Sequence, residues 1–169
     1  MSRNYLFRQD DPAVAALRYG RAGKTVDRVG CGLVAIYNVM KRLGCPQELS
    51  AVIQEAQRLH MPWLFGLFGT KPRSLGRYFR KMGVPFTRTD SCAAFREQLG
   101  GAAAAIVCTW NDKRTDGIHF YTIFNENGRL TSLNLCCADA PLSFSASTLR
   151  GDRFITGYLF FDSEQTKSP

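Results

Sequence analysis

The chain has 169 residues, a formal net charge of +8 and a hydrophobic fraction of 45%. This length fits one domain, which we assign to residues 1–169 with a core at about 26–161 and a polar tail at 162–169. The composition argues against disordered and fibrous proteins. No apolar stretch is long enough to span a membrane, and the N-terminus lacks the apolar core of a signal peptide. We therefore expect a cytoplasmic protein.

The cysteines stand at positions 31, 45, 92, 108, 136 and 137. In a cytoplasmic domain we expect them to be reduced and mostly packed as small apolar side chains. The chain contains no Cys-x-x-Cys motif and only two histidines, His60 and His119. These features predict neither a metal site nor a cofactor.

The first half of the chain is predicted to be helical. The segment from Asp11 to Leu17 indicates a short capped helix, and a polar loop follows at 21–30. A helix at 31–43 ends before Gly44 and is apolar on most sides, which is typical of a buried helix. Further helices are expected to begin at Pro46, at Pro72 and after the cap residue Ser91.

The second half changes to the β-branched and aromatic residues that are typical of strands. Strands are predicted at 102–110, 118–124, 130–135 and 155–161. Helices followed by strands, without regular alternation, favour an α+β fold. We expect a helical half packed on an antiparallel sheet.

Residues 61–70 form a hydrophobic loop that contains Trp63, Phe65 and Phe68. Aromatic side chains on loops often line binding sites, so Trp63 and Phe65 are candidate substrate-binding residues. The loop is equally compatible with a small apolar cluster packed beneath the domain.

The helix after this loop carries a series of basic residues. They are Lys71, Arg73, Arg77, Arg80 and Lys81. Such a patch can bind nucleic acid, but on a basic protein a solvated helix face is the more common explanation. We do not expect a nucleic-acid partner.

Gly30-Cys31-Gly32 stands where the polar loop meets the buried helix. At a helix N-terminus the dipole and the unpaired amide groups lower the pKa of a thiol and favour the nucleophilic thiolate. The flanking glycines keep the sulfur accessible, and the Cys31 amide is placed to help bind an oxyanion. The same residues are equally compatible with a buried cysteine whose neighbouring glycines serve a turn.

His119 lies inside the predicted strand 118–124, and Asn127-Gly128 predicts a tight turn after it. A two-residue turn places Tyr121 opposite Asn134 and makes His119 its diagonal neighbour, whereas a four-residue loop places His119 directly opposite Asn134. In both registers the side-chain amide of Asn134 can hydrogen-bond one nitrogen of the imidazole and aim the other at a thiolate. A histidine whose hydrogen bonds are satisfied within the sheet would explain His119 alone, and a cap at the end of a strand would explain Asn134 alone. A catalytic set of cysteine, histidine and asparagine explains both residues together with Cys31.

Gly30-Cys31-Gly32-Leu33-Val34-Ala35, then Gly117-Ile118-His119-Phe120 and then Asn134 resemble the papain-like cysteine peptidase superfamily. The resemblance is greatest to the compact bacterial branch that includes the peptidases removing double-glycine leaders from bacteriocins. It implies a cysteine at the head of the central helix, a histidine on a strand and an Asp or Asn on the next strand. It runs from about residue 26 to residue 161, and Gly69-Thr70-Lys71-Pro72 is similar to the family's middle region.

The sequence departs from this family at one position. The family usually has a Gln about a turn and a half before the nucleophile, where its side chain completes the oxyanion hole. That place falls near Thr25, and the segment 24–29 contains no Gln. Loss of one such donor typically costs about two to three orders of magnitude in rate. Gln9 and Asn4 are the candidates to replace it.

The sequence therefore predicts acyl transfer from a peptide or protein substrate to Cys31. His119 acts as base and then as acid, and Asn134 orients His119. Cys136 shares the face of His119 but has no helix N-terminus, so it is the weaker candidate for the nucleophile. The alternative is a catalytically inactive papain-like domain that binds a peptide or protein partner, which the missing Gln favours. A basic nucleic-acid-binding domain is the third hypothesis.

Overall fold

A computed structural model describes residues 5–112, 117–135 and 138–162. The helices are α1 (Val26–Val29), α2 (Cys31–Arg42), α3 (Leu49–Arg58), α4 (Leu75–Lys81) and α5 (Cys92–Leu99). The strands are β1 (Arg18–Tyr19), β2 (Lys24–Thr25), β3 (Thr87–Thr89), β4 (Ala104–Trp110), β5 (Ile118–Glu126), β6 (Arg129–Leu133), β7 (Leu142–Ser143) and β8 (Phe154–Phe160). In the described part of the chain, no helix has the length and apolar character that crossing a bilayer requires.

The larger sheet contains six strands within the described residues, in the order β3-β8-β4-β5-β6-β7. Every neighbouring pair in it is antiparallel, while β1 and β2 form a separate two-stranded ribbon. Strands β4 to β7 follow one another in sequence and in space, and β8 returns to lie between β3 and β4. The predicted α+β class, with helices packed on an antiparallel sheet, is confirmed.

Alternate residues of the sheet face two different hydrophobic clusters, as the period of a strand requires. On β4, Ala104, Ile106 and Cys108 pack with the cluster that contains the apolar residues of α2, α3 and α4. Ala105 and Val107 point to the opposite face, where the buried residues of α5 lie. Helices therefore cover both faces, and α2 is buried along most of its length as its composition predicts.

The predicted helix between Asp11 and Leu17 is wrong. The segment forms hydrogen-bonded turns in which the amides of Val14 and Ala15 both donate to the Asp11 carbonyl. The Asp11 carboxylate accepts from the Ala13 amide, a local bond that favours a turn over a continued helix. The predicted loop 21–30 is also more ordered than expected, because it contains β2 and α1.

The N-terminal strap, residues 5–9, is held against α2 by the Asn38 side chain. Asn38 is fully buried, and its Oδ1 accepts from the Leu6 amide at 2.9 Å. Its Nδ2 donates to the Leu6 carbonyl at 2.8 Å. The next residue of the strap, Phe7, accepts from the Asn134 amide at 2.9 Å. Asn38 thus satisfies the backbone of the strap, and the strap reaches the strand-end residue Asn134.

Replacing Asn38 by Ala should lower the free energy of unfolding by about 2–3 kcal/mol, because both main-chain groups of Leu6 lose their buried partners. Urea denaturation followed by far-UV circular dichroism measures the change. Gln54→Ala, at an exposed position of α3, is the matched control and should change stability by less than about 0.5 kcal/mol. An Asn38→Ala effect as small as the control's would contradict this role.

Candidate active site

A two-residue turn sets the register of the β5–β6 hairpin. Glu126 pairs with Arg129, and the intervening Asn127 and Gly128 have φ values of 54° and 84°. These left-handed values fit the turn chemistry of an Asn-Gly pair. The first of the two predicted registers is therefore the observed one.

Strand β6 ends early and leaves one edge of β5 open. Its last residue, Leu133, pairs with Thr122, and Asn134 then adopts a φ of 60° and leaves the strand. The main chain of β5 from Ile118 to Tyr121 consequently has no partner from β6. This open edge is where the N-terminus of α2 meets the sheet.

Cys31 is the first residue of α2 and lies at that edge with 8% of its surface exposed. The main chains of Phe120 and Gly32 and the side chain of His119 all hydrogen-bond to its sulfur. A helix N-terminus further favours negative charge at this position. The thiol is thus surrounded by groups that stabilise a thiolate.

Gly32 permits this close approach of α2 to its surroundings. A β-carbon at Gly32 would lie 2.9 Å from both Cβ and Oγ1 of Thr70 and 3.4 Å from Cδ2 of Phe120. Thr70 cannot move away freely, since it is buried and its hydroxyl is 3.1 Å from the Tyr19 hydroxyl. Burial, together with the charge of Cys31, raises the pKa of Tyr19, so this phenol remains neutral.

The His119 ring is held by the main chain of Asn134. Its Nε2 hydrogen-bonds to the Asn134 carbonyl, while the Asn134 side chain donates from Nδ2 to the Phe120 carbonyl at 3.2 Å. The left-handed conformation of Asn134 explains the difference from the predicted side-chain contact, because it turns the carbonyl toward the ring. The structure brings Asn134 to His119 as the hairpin predicts, but through a different atom.

Cys31 and His119 shift each other's pKa in opposite directions. Burial raises the pKa of Cys31, but the hydrogen bond and the charge of His119 outweigh it and bring the pKa below the ordinary thiol value. Burial lowers the pKa of His119, but the hydrogen bond and the charge of Cys31 outweigh it and bring the pKa above the ordinary imidazole value. Both shifts favour a thiolate beside an imidazolium. By contrast, burial raises the pKa of the core thiol Cys108.

Cys31 opens onto a groove of about 480 Å³ with mostly apolar walls. Arg28 is a charged residue of its lining, and the larger apolar side chains are Trp63, Leu64, Leu67, Phe68, Trp110 and Ile118. Of the two candidate substrate-binding residues, Trp63 lies in this groove, whereas Phe65 lines a neighbouring hollow and is 66% exposed. The loop thus borders the groove and does not pack beneath the domain. Sequence reasoning missed Trp110, which is the last residue of β4 and pairs with Ile118, the neighbour of His119.

The structure does not describe every remaining sequence candidate. Cys136, Cys137 and Asn4 lie outside the described residues. His60 is exposed beyond the end of α3. Among the described residues, His, Cys, Asp and Glu side chains do not gather in the groups of three that a metal ion would need.

No protein-family model matches the sequence, and no curated protein matches it. Among solved structures, the chain is similar to the peptidase domain of Streptococcus ComA, a bi-functional ABC transporter involved in a quorum-sensing pathway. The similarity has a TM-score of 0.56 at 14% sequence identity and covers 78% of this chain and 90% of that one. The fold is α+β and papain-like. Membership of the double-glycine leader branch stays a prediction.

Proposed function

We propose that the chain is a papain-like cysteine peptidase or amide hydrolase, with Cys31 as nucleophile and His119 as general base and acid. The observation that carries the proposal is the hydrogen bond between the Cys31 sulfur and the His119 ring at the head of α2, which favours the thiolate–imidazolium pair. The bond from the His119 ring to the Asn134 carbonyl supports a positioning role for Asn134, because it fixes the orientation of the imidazole.

In the proposed reaction the Cys31 thiolate attacks the carbonyl carbon of the scissile amide and forms a C–S bond. The carbonyl oxygen becomes an oxyanion, which the Cys31 amide helps to stabilise. His119 then gives its proton to the amine nitrogen as the C–N bond breaks, leaving a thioester on Cys31. His119 next takes a proton from water, which attacks the thioester and releases the acid and the thiolate.

The substrate we propose is a peptide or protein, and two observations support it. The groove beside Cys31 is apolar and open at the surface. The fold is shared with a domain whose known role is that of a peptidase. The described cysteines, Cys31, Cys45, Cys92 and Cys108, are all free, which fits the reducing cytoplasm that we propose as its location. We also propose the double-glycine leader branch as its family.

Iodoacetamide labelling between pH 5 and 10, with peptide mapping of all six cysteines, tests the proposal. Cys31 should react faster than the exposed Cys45, and its reaction should persist below the ordinary thiol pKa of about 8.5. A mixture of blocked peptides should then show cleavage with the wild-type chain and none with Cys31→Ala. A Cys31 no more reactive than Cys45, with no cleavage, would favour the inactive partner-binding domain.

A further inference from the structure

Gln9 of the N-terminal strap joins the walls of the pocket that contains His119 and Asn134. The pocket measures about 340 Å³ and is also lined by Asp27. Gln9 makes two hydrogen bonds. Its main-chain amide donates to Asn134 Oδ1 at 3.2 Å, and its side-chain Nε2 donates to the Asp27 carbonyl at 2.7 Å. Its Oε1 is buried without a hydrogen-bond partner among the described residues.

The Asp27 carbonyl lies one helical turn before Cys31. In a continuous helix it would accept from the Cys31 amide, because each amide bonds to the carbonyl four residues earlier. The helix is interrupted between α1 and α2 at Gly30. The main-chain amide of Gly30 makes the last hydrogen bond of α1, to the Val26 carbonyl at 2.7 Å. The Asp27 carbonyl accepts from Gln9 instead. The side-chain amide of Gln9 therefore bonds to the carbonyl that a continuous helix would offer to the Cys31 amide.

We propose that Gln9 is the side-chain donor of the oxyanion hole and acts together with the main-chain amide of Cys31. This inference rests on the proposed function. A carboxamide nitrogen carries two N–H groups, and the bond to Asp27 uses one of them. The second is available to the oxygen that becomes negative when the thiolate forms its C–S bond. Near the position where the family usually has its Gln, this chain has Thr25, whose side chain has no carboxamide to donate.

Because main-chain hydrogen bonds hold the strap in place, the Gln9 side chain can be changed without removing those bonds. The amide of Gln9 bonds to Asn134, and the strap is held independently by the Asn38 bonds to Leu6. Gln9→Met therefore removes the donor and its bond to the Asp27 carbonyl, while keeping the size of the side chain and the bonds that hold the main chain of the strap. Gln54→Ala, at an exposed position on α3, is the matched control.

Two electrophiles separate oxyanion stabilisation from thiolate reactivity. p-Nitrophenyl acetate acetylates Cys31 through a tetrahedral oxyanion, as the C–S bond forms and p-nitrophenolate leaves with the electron pair of the C–O bond. Iodoacetamide alkylates at a saturated carbon and forms no oxyanion. Both rates are measured on the full chain by peptide mapping of Cys31, with Cys31→Ala as the blank.

Gln9→Met should slow the acetylation of Cys31 by about 10²-fold and change its alkylation by iodoacetamide by less than about twofold. Equal acetylation in Gln9→Met and wild type would overturn the inference. So would a parallel fall of both rates, because that result would assign Gln9 a purely structural role. Failure of the proposed function looks different, since wild-type Cys31 would then alkylate no faster than Cys45.

Discussion

His119→Ala should slow the alkylation of Cys31 by iodoacetamide at pH 6 by at least about tenfold. His119 is the main source of the lowered pKa of Cys31, and burial opposes it. Without the imidazolium only burial and weaker main-chain bonds remain, so the pKa of Cys31 rises and thiolate forms only at higher pH. The difference between wild type and variant should therefore be largest below the ordinary thiol pKa and should shrink above it. Rates measured from pH 5 to 10 test both features.

The second histidine provides the control for this experiment. His60 is exposed and has a φ of 53°, which Asn tolerates well, so His60→Asn should leave the pH profile of Cys31 unchanged. Peptide cleavage in wild type should rise as Cys31 ionises and fall as His119 loses its proton, above the ordinary imidazole pKa of about 6.5. A His119→Ala profile that overlays the wild-type profile would disprove the Cys31–His119 pair.

Gly32→Ala should lower the free energy of unfolding by about 1–3 kcal/mol and also reduce the reactivity of Cys31. The new methyl group would lie 2.9 Å from two atoms of Thr70, so either Thr70 or the first turn of α2 must move. Movement of that turn shifts the sulfur away from His119, since Cys31 is the adjacent residue. Urea denaturation and iodoacetamide labelling at pH 6 report the two effects separately.

Gly100→Ala is the matched glycine control. A β-carbon at Gly100 has no heavy atom within 4 Å, and its φ of −62° is ordinary for Ala. We expect its stability to lie within about 0.5 kcal/mol of wild type and its Cys31 reactivity to be unchanged. If Gly32→Ala were as stable and as reactive as Gly100→Ala, the close packing of α2 against Thr70 would not matter for the site.

Several parts of the fold could be predicted because they depend on neighbouring residues. Gly44 has a φ of 80° and follows the end of α2, as its helix-ending role requires. Ser91 accepts from the Ala94 amide at 3.3 Å and caps α5. The Asn127-Gly128 turn sets the β5–β6 register and so brings Asn134 near His119. Each of these signals acts over a few residues, and each is visible in the sequence.

The loop and turn assignments were less accurate because local signals there compete with tertiary contacts. Val26 and Val29 are buried, and their packing orders α1 inside a segment that reads as a polar loop. The strap shows the same effect, since fully buried Asn38 satisfies the backbone of Leu6, far away in sequence.

The sequence by itself determined the α+β class, the start of α2 at Cys31 and the hairpin that carries His119, because apolar periodicity and turn chemistry are local properties. Only the tertiary structure decided which atom of Asn134 meets the imidazole, since that depends on a left-handed φ at the end of β6. It also brought Gln9 beside Asp27 and Asn134, residues 18 and 125 positions away in sequence. No local pattern encodes contacts across such separations, because they form only when the strap packs against the completed sheet and α2.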